Sequence, residues 1–99
     1  MKTIIILILI LSKTLLAAAA IYTLHDLSKH STQNDCWILI QDKIYDISAY
    51  ISKHPAPKPI LLKYCGKNAD HGWLTKDIGK AHSPMALRIL KTFEIGTIK

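Results

Sequence analysis

Five histidines, His25, His30, His54, His71 and His82, and two cysteines, Cys36 and Cys65, are the side chains here best suited to bind a metal or carry redox chemistry. Imidazole nitrogens ligate zinc, copper or haem iron. The spacings narrow that choice. No C-x-x-C pair and no H-x-x-x-H pair occurs, so the close ligand spacing of a zinc site is missing. The C-x-x-C-H signature of covalent haem attachment is also missing, so any haem is held without a covalent link. No nucleophile and base form a recognisable catalytic pattern, which argues against an enzyme acting alone.

The histidines differ in what surrounds them. His25 and His30 lie in or beside a short polar helix and read as plain surface residues, as does polar-flanked His71. His54 and His82 each lie where a helix begins or ends. His54 follows a helical segment and is pinned by Pro55, and His82 directly precedes the Ser83-Pro84 helix start. Side chains at such junctions can point into a cleft between helical pairs. Their separation of 28 positions does not by itself distinguish them from unrelated surface histidines.

The elements that must position them are short. Thr23-Leu24-His25-Asp26 is a capping-box-like start, with Asp in place of Glu or Gln, for a helix reaching about Lys29. Cys36–Ile40 and Lys43–Ile47 read as strands joined tightly through Gln41-Asp42, a hairpin. Ser48 to about Lys53 suits a short helix. Pro55, Pro57 and Pro59 then force an extended connection. Ile60–Tyr64 resumes a helical pattern ended by Gly66, Asn68–Leu74 suits another helix, and Thr75–Ala81 reads as a loop. The helix from Ser83-Pro84 carries apolar weight at Leu87, Leu90 and Phe93 or Ile95, and Ile95–Ile98 suits a closing strand. This is an α+β pattern of short helices around a small sheet. Helices of that length need a shared apolar centre to persist.

Composition bounds the class. At 49% hydrophobic and 20% charged, the chain suits one globular domain. Lys2, the apolar run Ile4–Leu11 and the small-residue exit Ala17–Ala20 match a secretory signal peptide, cut before Ile21. The alternative is a membrane anchor, but an eight-residue run falls well short of the roughly 20 apolar residues that span a bilayer. The expected domains are therefore residues 1–20, the signal, and residues 21–99. A 79-residue domain has marginal stability from its core alone, so a staple or cofactor is expected to help. Export into an oxidising compartment, periplasmic or extracellular, makes a Cys36–Cys65 disulfide the expected staple. Without Lys2 and Lys13, eleven basic and seven acidic residues remain, a formal charge of +4. Eight of the basic residues lie between Lys53 and Lys91, against Asp70 and Asp77. That half suits an acidic protein or anionic surface, whereas no nucleic-acid reading module is recognisable.

From Tyr22 to Ile98 the sequence resembles cytochrome b5 domains. The resemblance runs through Tyr22-Thr23-Leu24, Asp35–Ile40, Lys43–Ile47, His54-Pro55, Gly66-Lys67-Asn68-Ala69, Gly79–Ser83 and Lys91–Gly96, in order and at matching spacing. It implies a cytochrome b5-like fold, with short helices in two pairs forming a haem crevice on a small mixed sheet. It also implies non-covalent haem b with His54 and His82 as axial ligands, and single-electron shuttling between redox proteins; a monomer is expected. By alignment, Tyr50, Ile60, Leu61, Trp73, Ile89 and Phe93 line the crevice. Ser83 occupies the position that hydrogen-bonds a haem propionate, and is equally suited to cap the following helix. Two departures stand out. The family's His-Pro-Gly-Gly is His54-Pro55-Ala56-Pro57 here, so the turn must either use only negative φ or be rearranged. Lys58, Lys63 and Lys67 replace the acidic residues often found near the haem edge, so an acidic partner surface is expected. A second reading is a haem- or ligand-binding interaction module that kept the fold without cycling electrons.

Overall fold

The computed structural model describes residues 20–76, 79 and 81–99; the expected signal, save Ala20, lies outside the described residues. Eleven elements follow in chain order: β1 (Ile21–Tyr22), α1 (Leu24–Ser28), β2 (Ser31–Thr32), β3 (Asp35–Ile40), β4 (Lys43–Asp46), a 3-10 turn (Ile51–Lys53), α2 (Lys58–Leu62), β5 (Lys67–Asn68), α3 (Asp70–Thr75), α4 (Pro84–Lys91) and β6 (Glu94–Ile98). The sheet is mixed, in the order β1-β6-β4-β3-β2, with β5 also on β3. β1 runs parallel to β6 and β5 parallel to β3, and the other pairs are antiparallel.

Local chemistry explains the boundaries. The capping box at α1 is complete: Asp26 N–H donates to Thr23 Oγ1 at 3.1 Å and Thr23 N–H donates back to Asp26 Oδ2 at 2.9 Å. The β3–β4 hairpin closes at Gln41, whose φ of 54° supplies the left-handed step of a two-residue turn. α2 begins at Lys58, two residues earlier than the proline run predicts. Pro59 sits in the first helical turn, where its missing N–H has no intrahelical acceptor to lose. Lys67 and Asn68 form an unexpected strand, and α3 begins only at Asp70, whose N–H the Asn68 side chain accepts at 2.8 Å. α4 opens as expected, with Ala86 N–H donating to Ser83 Oγ at 3.1 Å and proline at the first position.

Alternation along β3 feeds two apolar layers. Cys36, Ile38 and Ile40 face the 3-10 turn and α2–α4, where they pack with Tyr45, Ile47, Ile51, Cys65, Ala69 and Leu90. Leu39 faces the other way and packs with Leu27 of α1 and Ile44. Cys36 and Cys65 are bonded and buried, tying β3 to the turn that follows α2. His30 departs from its expected role as a plain surface residue. Its ring stacks on Trp37 at 3.5 Å, and its Nδ1 lies 2.7 Å from Asp35 Oδ1.

The bridge joins residues 29 positions apart. Loop-closure entropy alone assigns it about 3 to 4 kcal/mol at this loop length. A Cys36→Ala/Cys65→Ala double variant is expected to lose at least that much in urea unfolding, and equal stability would show that the crosslink adds nothing.

Candidate functional site

The inner face of β3 forms the floor of a largely apolar cavity of about 400 Å³. Ile38, Ile40 and Ile47 line its base, α2 contributes Ile60 and Leu61, and α4 contributes Met85, Ile89 and Leu90. The volume falls within the range typical of small-molecule and cofactor sites. Among the described residues, the lining is apolar save for a few polar side chains, and the two histidines at the helix junctions, His54 and His82, are both among them.

His54 closes the 3-10 turn, with its N–H bonded to Tyr50 O at 3.0 Å and its own backbone extended at φ −66°, ψ 135°. Pro55 favours this, because a residue before proline is pushed out of the helical region. Pro57 is also extended, and Ala56 is not among the residues with positive φ, so the altered turn uses only negative φ. The Tyr50 ring meets His54 edge-on at 5.8 Å and Phe93 at 5.5 Å, making an aromatic wall.

His82 is held more tightly. Its ring stacks on Trp73 at 4.4 Å and 8°, its Nδ1 lies 2.7 Å from Trp73 O, and its backbone N–H donates to the same carbonyl at 3.1 Å. A carbonyl can only accept, so Nδ1 of His82 carries the proton and Nε2 has the lone pair. His54 has the reverse environment: Ala56 N–H donates to its Nδ1 at 3.2 Å. Burial holds the His54 pKa below the ordinary imidazole value, and charge at His82 and Lys76 lowers it further. A neutral ring is the form that can ligate a metal.

The two ring centres lie 6.4 Å apart, tilted by 45°. Two imidazoles on opposite sides of one metal ion, each bonded at about 2 Å, would have centres roughly 6 to 6.5 Å apart. Among the described residues no group of three or more His, Cys, Asp or Glu could hold a bare ion. Two imidazoles at this separation in an apolar cavity fit a metal whose other ligands would come from a planar macrocycle.

The cytochrome b5-like haem/steroid binding domain family matches residues 23–99. The chain belongs to this family. It is 36% identical over 83 residues to the soluble cytochrome b558 of Ectothiorhodospira shaposhnikovii, covering 84% of this chain and 91% of that protein. It is 39% identical over 80 residues to cytochrome B5 isoform C of Arabidopsis thaliana, covering 81% of this chain but only 58% of that protein. The solved structure of Ectothiorhodospira vacuolata cytochrome b558, a prokaryotic homologue of cytochrome b5, superposes with a TM-score of 0.78 at 36% identity, over 81% of this chain and 99% of that one. The family is described by haem or steroid binding, and the relatives named here are cytochromes.

Tyr50, Ile60, Leu61, Trp73, Ser83, Ile89 and Phe93 all line the same cavity as His54 and His82. Ser83 does cap α4, and accepting from Ala86 leaves its own hydroxyl proton to donate. His25 and His71 are exposed and, like His30, are not among the lining residues. Sequence reasoning missed Tyr64, Met85 and Lys76 as lining residues. Tyr64 stands four residues after Ile60, so helical periodicity could have found it; Lys76 follows α3 in a predicted loop and carried no such signal.

Trp73 orients His82 through its ring as well as its carbonyl, and only the ring is lost on substitution. Trp73→Ala is expected to cost about 1 to 3 kcal/mol, with Trp73→Phe losing less than half of that, since a smaller ring retains part of the stack and the buried area. Denaturant unfolding of the pair checks this; equal losses would mean that the stack adds nothing.

Proposed function

We propose that this chain is an exported single-electron carrier holding one b-type haem in the cavity, with His54 and His82 as its axial ligands. The observation that carries the reading is the pair of imidazoles 6.4 Å apart across an apolar cavity. The haem, when bound, supplies an iron that takes up and releases one electron. The chain's own residues do the rest. His54 and His82 would both hold its iron, which would leave no site for oxygen or substrate and suits electron transfer over oxygen chemistry. Ile60, Leu61, Ile89 and Phe93 exclude water, which helps set the potential. Trp73 fixes the tautomer and orientation of His82.

The test is an absorption spectrum of residues 21–99 with added haem, oxidised and then reduced. Sharp, split reduced bands are expected, lost in both His54→Ala and His82→Ala. The loss of haem affinity is expected to be larger for His82→Ala, because that ring is held ready to ligate. A high-spin spectrum in the unaltered protein would end the bis-histidine reading.

The partner is proposed to be a redox protein with an acidic docking surface. Lys53, Lys58 and Lys63 are exposed on or next to the 3-10 turn and α2, the segments flanking His54, and Lys67 is exposed on β5. Such a surface steers association through screened long-range attraction. Association rates with an acidic redox protein are expected to fall steeply with salt, and rates independent of ionic strength would exclude this docking mode. For export, the N-terminus of the mature secreted protein is expected at Ile21.

A further inference from the structure

We infer that Lys76 is the anchor for a carboxylate of the cofactor bound in this cavity. The inference rests on the haem reading above and adds to it a residue with a chemical role of its own. Among the described residues Lys76 is the one lining residue that carries a permanent charge. A b-type haem carries two propionate carboxylates, and a carboxylate at the margin of an apolar cavity is costly to leave unpaired. Ser83 supplies a neutral donor, whereas Lys76 supplies the opposite charge.

The backbone at Lys76 points the same way. Lys76 caps the C-terminal end of α3 in the left-handed region, at φ 51° and ψ 21°, with its N–H donating to Gly72 O at 2.8 Å. Glycine is the residue that takes this position without strain, and a side chain there costs about 1 kcal/mol or more. A lysine held there despite the strain is consistent with a side chain that has a use. Among the described residues it makes no ion pair.

The test measures the rate at which the loaded protein gives up haem to an excess of a tight-binding acceptor protein. The unaltered chain, Lys76→Gln, Lys76→Arg and Lys76→Gly are compared, each loaded with haem or with haem dimethyl ester, in which both carboxylates are blocked. Lys76→Gln and Lys76→Gly are expected to release haem about three- to tenfold faster, as the loss of a charge-assisted bond predicts, and Lys76→Arg at nearly the original rate. With the dimethyl ester all four proteins are expected to release at the same rate. Faster release by Lys76→Gln that persists with the dimethyl ester would overturn the anchor, as would equal rates with ordinary haem. Lys76→Gly separates charge from strain, because it removes both while Lys76→Gln removes the charge alone. Failure of the unaltered chain to give a six-coordinate spectrum would instead overturn the haem reading, and the anchor with it.

Discussion

The His54 and His82 rings stand 6.4 Å apart across a largely apolar cavity, and much of this domain serves to place them there. Neither ring lies within a helix. Each is set at a junction: His54 follows the 3-10 turn with its backbone extended, and His82 directly precedes Ser83, the extended cap of α4. Pro55 holds the first junction by excluding the helical region for His54. Ser83 and Pro84 hold the second by starting a helix immediately after His82. The ring positions are thus set by where helices stop and start, which short elements control better than long ones do.

Short elements carry a stability problem of their own, and β3 is where the chain meets it. α2 and α3 have five and six residues, too few for either to persist in isolation. β3 pairs with β2, β4 and β5, supplies the cavity floor from one face and packs Leu39 beside Leu27 of α1 and Ile44 from the other. The Cys36–Cys65 bond fastens the turn after α2 to the start of the same strand. Gln41 N–H donates to Asp70 Oδ1 at 2.6 Å, which ties the hairpin to the start of α3. The helices on the cavity side are therefore held through one strand and its turn, so the site and the core are one construction.

Much of this was legible in the sequence, and the reasons differ from residue to residue. The hairpin, the Thr23 box and the Ser83-Pro84 start depend on interactions within a few positions, so local rules find them. The pairing of His54 with His82 is not local; ordered resemblance along the chain pointed to it where spacing could not. β1, β2 and β5 are two-residue strands whose existence depends on β6 and β3, and no pattern of two residues announces a strand. Lys67 and Asn68 illustrate this: they lie before a helical pattern, but the β3 edge captures them first. The role of Lys76 was hidden for a similar reason, because a residue in a loop shows its direction only once the helix before it has been placed.

The two imidazoles are not equivalent, and the difference comes from single backbone groups. A neutral imidazole has one donor nitrogen and one acceptor nitrogen, so a partner at Nδ1 decides what Nε2 can do. The Trp73 carbonyl makes Nδ1 of His82 the donor, which leaves the lone pair on Nε2. The Ala56 N–H makes Nδ1 of His54 the acceptor, which puts the proton on Nε2. Ligation through Nε2 of His54 therefore requires the proton to move to Nδ1 and the Ala56 contact to be given up. That contact is 3.2 Å, long for a hydrogen bond and correspondingly weak, whereas the one at His82 is 2.7 Å. The strong bond thus holds the ring that is already in the ligating tautomer, and the weak one holds the ring that must change. The His-Pro-Ala-Pro turn accordingly keeps its histidine at the cavity without locking it, and the rigidity of the site is concentrated on His82.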